Sequence, residues 1–280
     1  YQMKKNNILD IQKLKNLNTP FATLTAYDFP SAKIINELNI PIVLVGDSAS
    51  MVVYGYKDTT PVSMDEMMFV LRSVIRGNSS SLIVADMPFM SYQPSIEEAI
   101  KNAGKFIKTG ANAVKIEGGS AQSKTISRLV SSGIPVMGHI GLLPQSINAT
   151  SGYRVQGKDE FSANEIIQDA LDVERAGAFS IVLEGIPGNL AKIISRKIKI
   201  PTIGIGSGPH CDGQIQVFHD LLGIDKTFNP KHSKKFVNSY ELFFNALKNY
   251  KNDVEDLKFP TIEHYINLSK DIEDKITENN

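Results

Sequence analysis

The chain of 280 residues is long enough for one large α/β domain with a sizeable buried core. Its 30 basic and 30 acidic residues cancel, which leaves no electrostatic basis for sequence-independent binding to nucleic acid or to an anionic membrane. A single cysteine, Cys211, excludes an internal disulfide framework and suits a reducing cytoplasm, and no apolar run reaches the ~20 residues that span a bilayer. The stretch MKKNNILDIQKLKN lacks the apolar h-region of a secretory signal, and Tyr1 and Gln2, ahead of Met3, are expected to be extraneous.

In chain order, residues 8–17 (ILDIQKLKNL) predict a short amphipathic helix able to plug the bottom of a barrel. Strands are then predicted at FATLTAYD, IVLVGD, LIVADM, AVKIEG, PVMGHI, SIVLEG and PTIGIG, between about residues 21 and 206. Their apolar, β-branched character is that of strands buried on both faces. An eighth strand lies within QIQVFHDLLGI, a stretch that reads equally as a helix. Between the strands, Ser63–Glu66, Ser95–Glu98 and Ser162–Glu165 read as capping boxes, and Gly77, Gly110, Gly133 and Gly177 as helix stops. This alternation predicts a TIM (β/α)8 barrel over about residues 20–225, with an open doubly wound sheet as the alternative. Residues 233–256 predict a long helix with Phe236, Tyr240, Phe243, Phe244 and Leu247 on one apolar side, serving the core or a subunit contact. The charged run KNYKNDVEDLK is expected to be solvated and the last ten residues frayed. No repeat or second-domain boundary interrupts the chain, so a single domain over 3–280 is expected, with an N-terminal helix and a C-terminal helical extension at about 233–270.

Five of these strands end on an ionisable residue: Asp47, Asp86, Glu117, His139 and Glu184. A parallel barrel brings all its strand ends to one mouth, where active sites sit. Asp47 and Asp86 are candidate ligands of a hard cation such as Mg2+, which takes one or two carboxylates and keeps positions for water and substrate. Glu117 could add a direct or water-bridged contact. The plainer alternative is that each acid caps the helix after its strand. Lys115 and Glu117 share a strand face, so an apolar outer face at Val114 and Ile116 turns both into the barrel. A buried lysine there needs a counter-charge, from the acids or from a substrate carboxylate. Ser48 brings a hydroxyl to the same mouth and could donate to Asp47. Glu184 ends an apolar strand where desolvation favours a proton acceptor, and His139 is its acid–base partner or, equally, a satisfied core histidine. GIGSG (204–208) reads as a tight turn, and Met64, Met67 and Met68 as packing. His210, His219, His232 and His264 show no metal-ligand spacing.

The ordered motifs TAYD (25–28), LVGDS (44–48), ADMPF (85–89), VKIEGG (114–119), GHIGLLPQS (138–146), GYRVQG (152–157), LEGIP (183–187), GIGSG and DGQIQVFHDLLG (212–223) resemble the ketopantoate hydroxymethyltransferase family. The similarity runs from about residue 20 to 225, and FPTIEH at 259–264 is similar to that family's tail. The resemblance implies a TIM barrel, Mg2+ dependence, 5,10-methylenetetrahydrofolate as one-carbon donor and a cytoplasmic homo-oligomer, commonly a decamer. By the same resemblance Asp47, Asp86 and Glu117 serve the metal, Ser48, Asp86 and Lys115 bind the ketoacid, Glu184 accepts the proton, and His139 lies near the reacting carbon. SGPHCDG after the glycine-rich turn and the Lys- and Asn-rich segment after Gly223 depart from the pattern, and they leave the folate surface open. Two other readings stay in view. One is a different Mg2+-dependent 2-oxoacid barrel of the isocitrate lyase or phosphonopyruvate type, whose cysteine-bearing catalytic loop is absent here. The other is a barrel kept as a non-catalytic scaffold.

Overall fold

The computed structural model describes residues 5–150, 152, 154–227 and 230–278; Met3, Tyr153 of the GYRVQG motif and the two final residues lie outside the described residues. Eight parallel strands close into a barrel in sequence order: β1 (Phe21–Thr25), β2 (Ile42–Val45), β3 (Leu82–Asp86), β4 (Ala113–Glu117), β5 (Val136–Gly141), β6 (Ser180–Glu184), β7 (Thr202–Ile205) and β8 (Gly213–Gln216). β8 returns to β1 through Phe21 and Gly213, so no sheet edge remains and the open-sheet alternative fails. QIQVFHDLLGI proves to be both things in turn: Gln214–Gln216 pair in β8, and Phe218–Leu222 form a helix.

Alternation along the strands sorts two cores. Val43, Val45, Ile83, Ala85, Val114, Ile116, Val136 and Ile181 face outward to the helices. Ile42, Leu44, Leu82, Val84, Ala113, Met137, Val182 and Ile203 fill the barrel. The inward column on each strand is therefore apolar at the bottom. Two residues further on, the same face carries Asp86, Lys115, His139 and Glu184 at the top. The helix Ile8–Asn16 does plug the bottom: Ile11 is fully buried in the barrel cluster, with Ile8 and Leu14 beside it. Lys15 fastens that plug with Nζ 2.9 Å from both Asp212 Oδ2 and Ser195 O.

The outer helices form for reasons visible in their ends and spacing. Ser63 and Glu66 make the full capping box of the Met64–Gly77 helix, which buries Met67, Val70, Leu71 and Val74 at helical spacing. Met64 and Met68 pack partly buried against the same core. Ser95 caps the Ile96–Thr109 helix by accepting from Glu98 N. The box expected at Ser162 lies three residues earlier: Asp159 is the cap and Ser162 answers it, so the helix runs Glu160–Arg175. Gly110, Gly133 and Gly177 take positive φ just past their helices, as a left-handed stop requires.

Gly77 has another reason. A Cβ there would lie 2.5 Å from Phe29 O and 2.9 Å from Ala32 Cβ, so glycine lets the Met64–Gly77 helix approach the Phe29–Glu37 helix. Gly77→Ala is expected to destabilise the fold by about 1–3 kcal/mol, because overpacking against backbone outweighs the ~1 kcal/mol that alanine gains in a helix. A urea melt checks this; unchanged stability would show that the two helices separate freely.

The C-terminal segment differs from expectation. Its helix spans Ser239–Glu255, beginning after residues 233–238, and Phe236, Phe243, Phe244 and Leu247 are exposed, with Tyr240 half-buried. The stripe thus serves no core of this chain. Residues 248–258 are solvated as expected. Lys270–Glu278 are helical where fraying was expected, with acidic residues in the first turn and Lys275 in the last to suit the helix dipole.

Candidate active site

Strand register brings the predicted residues into one layer. Asp86 pairs with Lys115 across β3–β4, Glu117 with His139 across β4–β5, and Glu184 stands beside Gly141 across β5–β6. Lys115 Nζ lies 2.7 and 2.9 Å from the two oxygens of Asp86 and 3.7 Å from Glu117 Oε1. His139 links the rest: Nδ1 is 3.6 Å from Glu117 Oε1 and Nε2 is 3.2 Å from Glu184 Oε2. Neither ring nitrogen makes an aligned hydrogen bond, so these are charge contacts. His139 therefore belongs to the charged cluster, and its ring nitrogens lack the hydrogen bonds of a satisfied core histidine.

The acids do not act as helix caps. Asp47 Oδ2 accepts from Gln145 Nε2 at 2.9 Å, Asp86 Oδ2 from the Asp47 backbone N–H at 3.2 Å, and Glu117 Oε2 from the Gln145 backbone N–H at 3.0 Å. Ser48 does not donate to Asp47 either; its Oγ is 2.7 Å from the buried hydroxyl of Tyr27. Glu184 keeps 16% of its side chain exposed, against 1–4% for Asp86, Lys115, Glu117 and His139, so it is the open acid of the group rather than a sealed one.

Charge and burial conflict here, and the conflict shapes the site. Burial raises Asp47 well above the usual carboxylate range, and Asp86 and Glu117 add to the rise. Burial lifts Asp86 too, with Lys115 opposing it. At Lys115 burial acts downward, but Asp86, Glu117 and Asp47 together hold the ammonium above its ordinary value. Burial and Lys115 also press His139 down, yet Glu117 and Glu184 raise it to about 9. Four carboxyl groups, Asp47, Asp86, Glu117 and Glu184, thus stand against one lysine and one histidine, an excess of acidic groups whose ionised forms a cation would favour.

A divalent cation suits that excess, and Glu117 Oε1 is a buried oxygen without a hydrogen bond. Among the described residues no group of three or more His, Cys, Asp or Glu is drawn close enough to cage an ion. Mg2+ is a cation that keeps several waters and needs only one or two carboxylates.

The layer floors a cavity of about 440 Å3 whose walls include Met51, Leu142, Val182, Ile205 and Val217. A groove of about 560 Å3 at the opposite end of the barrel, lined by Lys15, Lys192, Arg196 and His210, contains none of these residues. GIGSG forms a tight turn beside the cavity: a Cβ on Gly208 would meet Gly188 Cα at 3.0 Å, and Ser207 Oγ donates to Leu183 O at 2.7 Å. Cys211 is buried and free, its thiol pushed up to about 11 by burial.

Gln145, Tyr92 and Tyr27 were not singled out in the sequence. Tyr92 OH is 2.9 Å from Gln145 Oε1 and 3.1 Å from Glu117 O. Gln145 and Tyr27 had a signal, since both lie inside the motifs GHIGLLPQS and TAYD. Tyr92 had none, because a loop tyrosine carries no periodicity.

Comparison with known proteins identifies the family. The family described as ketopantoate hydroxymethyltransferase matches residues 5–262. The chain is 51% identical over 258 residues to the 3-methyl-2-oxobutanoate hydroxymethyltransferase of Thermotoga neapolitana, covering 91% of this chain and 96% of that one. It is 49% identical over 274 residues to that of Clostridium kluyveri, covering 98% of each. Similar solved structures include phosphonopyruvate hydrolase in complex with oxalate and Mg++ (TM-score 0.61, 12% identity, 99% of this chain and 96% of that one). Phosphoenolpyruvate phosphomutase from Streptomyces platensis subsp. rosaceus is another (TM-score 0.61, 12% identity, 98% of each). At such identities the structural likeness is one of fold alone. The family match and the half-identical relatives both span nearly the whole length, and the chain belongs to the ketopantoate hydroxymethyltransferase family.

Proposed function

We propose that this enzyme transfers a hydroxymethyl group from 5,10-methylenetetrahydrofolate to 3-methyl-2-oxobutanoate, giving 2-dehydropantoate, the first committed step of pantothenate synthesis. The observation that carries the reading is the convergence of buried Asp47, Asp86, Lys115, Glu117 and His139 with half-buried Glu184 in one layer below an apolar cavity. Asp47 and Asp86 would hold Mg2+, with Glu117 in direct or water-bridged contact. The ion, when bound, supplies Lewis-acid stabilisation of negative charge on the 2-keto oxygen.

The chain's own groups do the rest. Lys115 has a third N–H beyond the two directed at Asp86, and with Ser48 it holds the substrate carboxylate, which fixes C3 near the base. Glu184 takes the C3 proton. His139, with Nε2 3.2 Å from Glu184 Oε2, assists or relays that transfer. The C3 carbanion then bonds to the methylene carbon of the folate as one of its two C–N bonds breaks, and water replaces the other C–N bond, which leaves the hydroxymethyl group on C3 and releases tetrahydrofolate. Lining side chains such as Met51, Leu142 and Val217 exclude bulk water from this step.

The enzyme is taken to be a cytoplasmic homo-oligomer, a decamer; the exposed Phe243, Phe244 and Leu247 of the Ser239–Glu255 helix support only the contact between copies. The test of the activity is product formation. Purified protein with ketoacid, methylenetetrahydrofolate and Mg2+ is expected to yield 2-dehydropantoate by mass spectrometry, and chelation or omission of folate to stop it. Turnover of the ketoacid without folate would favour the carbon–carbon or carbon–phosphorus bond enzymes instead.

A further inference from the structure

We propose that Gln145 is a positioning residue that sets the divalent-cation affinity of the site by aiming two carboxylates at once. The inference rests on the metal reading given above. Gln145 sits on the single turn Pro144–Ser146 after β5 and is 3% exposed. Its amide is saturated. Nε2 donates to Asp47 Oδ2 and to Met87 O, each at 2.9 Å, while Oε1 lies 2.9 Å from Tyr92 OH and 3.2 Å from Gln93 Nε2. Its backbone N–H donates to Glu117 Oε2 at 3.0 Å.

The orientation of this amide follows from its partners. Met87 O can only accept, and a flip would set Oε1 against both that carbonyl and the Asp47 carboxylate. Nε2 therefore faces Asp47 in every sensible arrangement. One residue thus ties the tips of β2, β3 and β4 together across sequence separations of 98, 58 and 28 positions.

The division of oxygens points to a role beyond holding the loop. Gln145 takes one oxygen from each carboxylate and leaves the other. Asp47 Oδ1 makes no hydrogen bond among the described residues, and Glu117 Oε1 is buried without one. Those two oxygens, of which Glu117 Oε1 also lies 3.7 Å from Lys115 Nζ and 3.6 Å from His139 Nδ1, are the ones without a hydrogen bond and so able to face a cation or its waters. Groups that orient ligating carboxylates from behind typically change metal affinity by roughly tenfold to a hundredfold when removed.

Gln145→Met keeps the length and bulk of the side chain while removing every hydrogen bond of the amide. The probe is Mn2+ titrated into the full-length protein, with the free ion read by EPR, beside a thermal melt and the Mn2+ dependence of turnover. The expected result is Mn2+ affinity weakened roughly tenfold to a hundredfold, with kcat at saturating metal near the unaltered enzyme's. A folded Q145M protein with unaltered Mn2+ affinity overturns the proposal, whatever its melting temperature. Should Q145M fail to fold, Tyr92→Phe removes only the hydroxyl that holds Oε1. A smaller loss of affinity in Y92F then supports the proposal, and unaltered affinity overturns it. No Mn2+ binding by the unaltered protein would instead sink the metal reading, and this inference with it.

Discussion

Asp86→Ala is expected to abolish Mg2+-dependent binding of 3-methyl-2-oxobutanoate and to destabilise the fold in the same stroke. The Asp86 side chain is 1% exposed, and both its oxygens lie within 2.9 Å of Lys115 Nζ. Removing one member of a buried, hydrogen-bonded pair leaves the other uncompensated, at a cost of about 3–5 kcal/mol. Glu117 Oε1, 3.7 Å from the same nitrogen, offsets part of that loss, so the lower end of the range applies. The binding defect is separable from the folding defect through Asp86→Asn, which keeps the volume and gives up the charge. Calorimetric titration of the ketoacid with and without Mg2+ reads the first effect and a thermal melt the second. A D86N protein that folds and still binds ketoacid in a Mg2+-dependent manner at unaltered affinity would remove Asp86 from the site.

Glu184→Gln produces the opposite split. Glu184 is the most exposed of the acids that line the cavity, and among the described residues its carboxylate meets the network through His139 Nε2 at 3.2 Å. Replacing it leaves Asp47, Asp86, Glu117 and Lys115 with their hydrogen bonds, so cation and ketoacid binding are expected to persist. Loss of a positioned general base costs about 10²–10⁴-fold in turnover. Steady-state kinetics are therefore expected to show a fall in kcat with KM for the ketoacid little changed. Weakened ketoacid binding with the turnover of bound substrate intact would contradict the role given to Glu184.

The strand tips were legible because strand periodicity and charge are both local properties. Lys115 and Glu117 could be placed on one face from their spacing alone, and the barrel put them where that face had to point. The eighth strand was ambiguous for a physical reason. Gln214–Gln216 and Phe218–Leu222 abut at Val217, and a composite of two short elements matches neither period over its whole length. The misplaced cap at Ser162 has a similar origin. Asp159, Ser162 and Glu165 repeat at intervals of three, so two overlapping boxes satisfy the same pattern, and the chain uses the earlier one.

What could not be read was the neutral framework. Gln145 and Tyr92 carry no charge and sit in loops; their partners Asp47 and Glu117 are distant in sequence and meet them only once the barrel closes. The helix at Ser239–Glu255 shows a different limit. Its pattern revealed an apolar face, but amphipathicity does not say whether the chain or a second copy covers it.

The central claim is that proton abstraction at C3 of the ketoacid begins the reaction. Exchange of the C3 proton of 3-methyl-2-oxobutanoate for deuterium, followed by NMR in D2O with and without Mg2+ and then with tetrahydrofolate, tests it most directly. Protein-dependent loss of the C3 proton signal that requires Mg2+ is the expected result. Absence of exchange in folded protein under every one of these conditions would contradict it and leave the barrel as a scaffold.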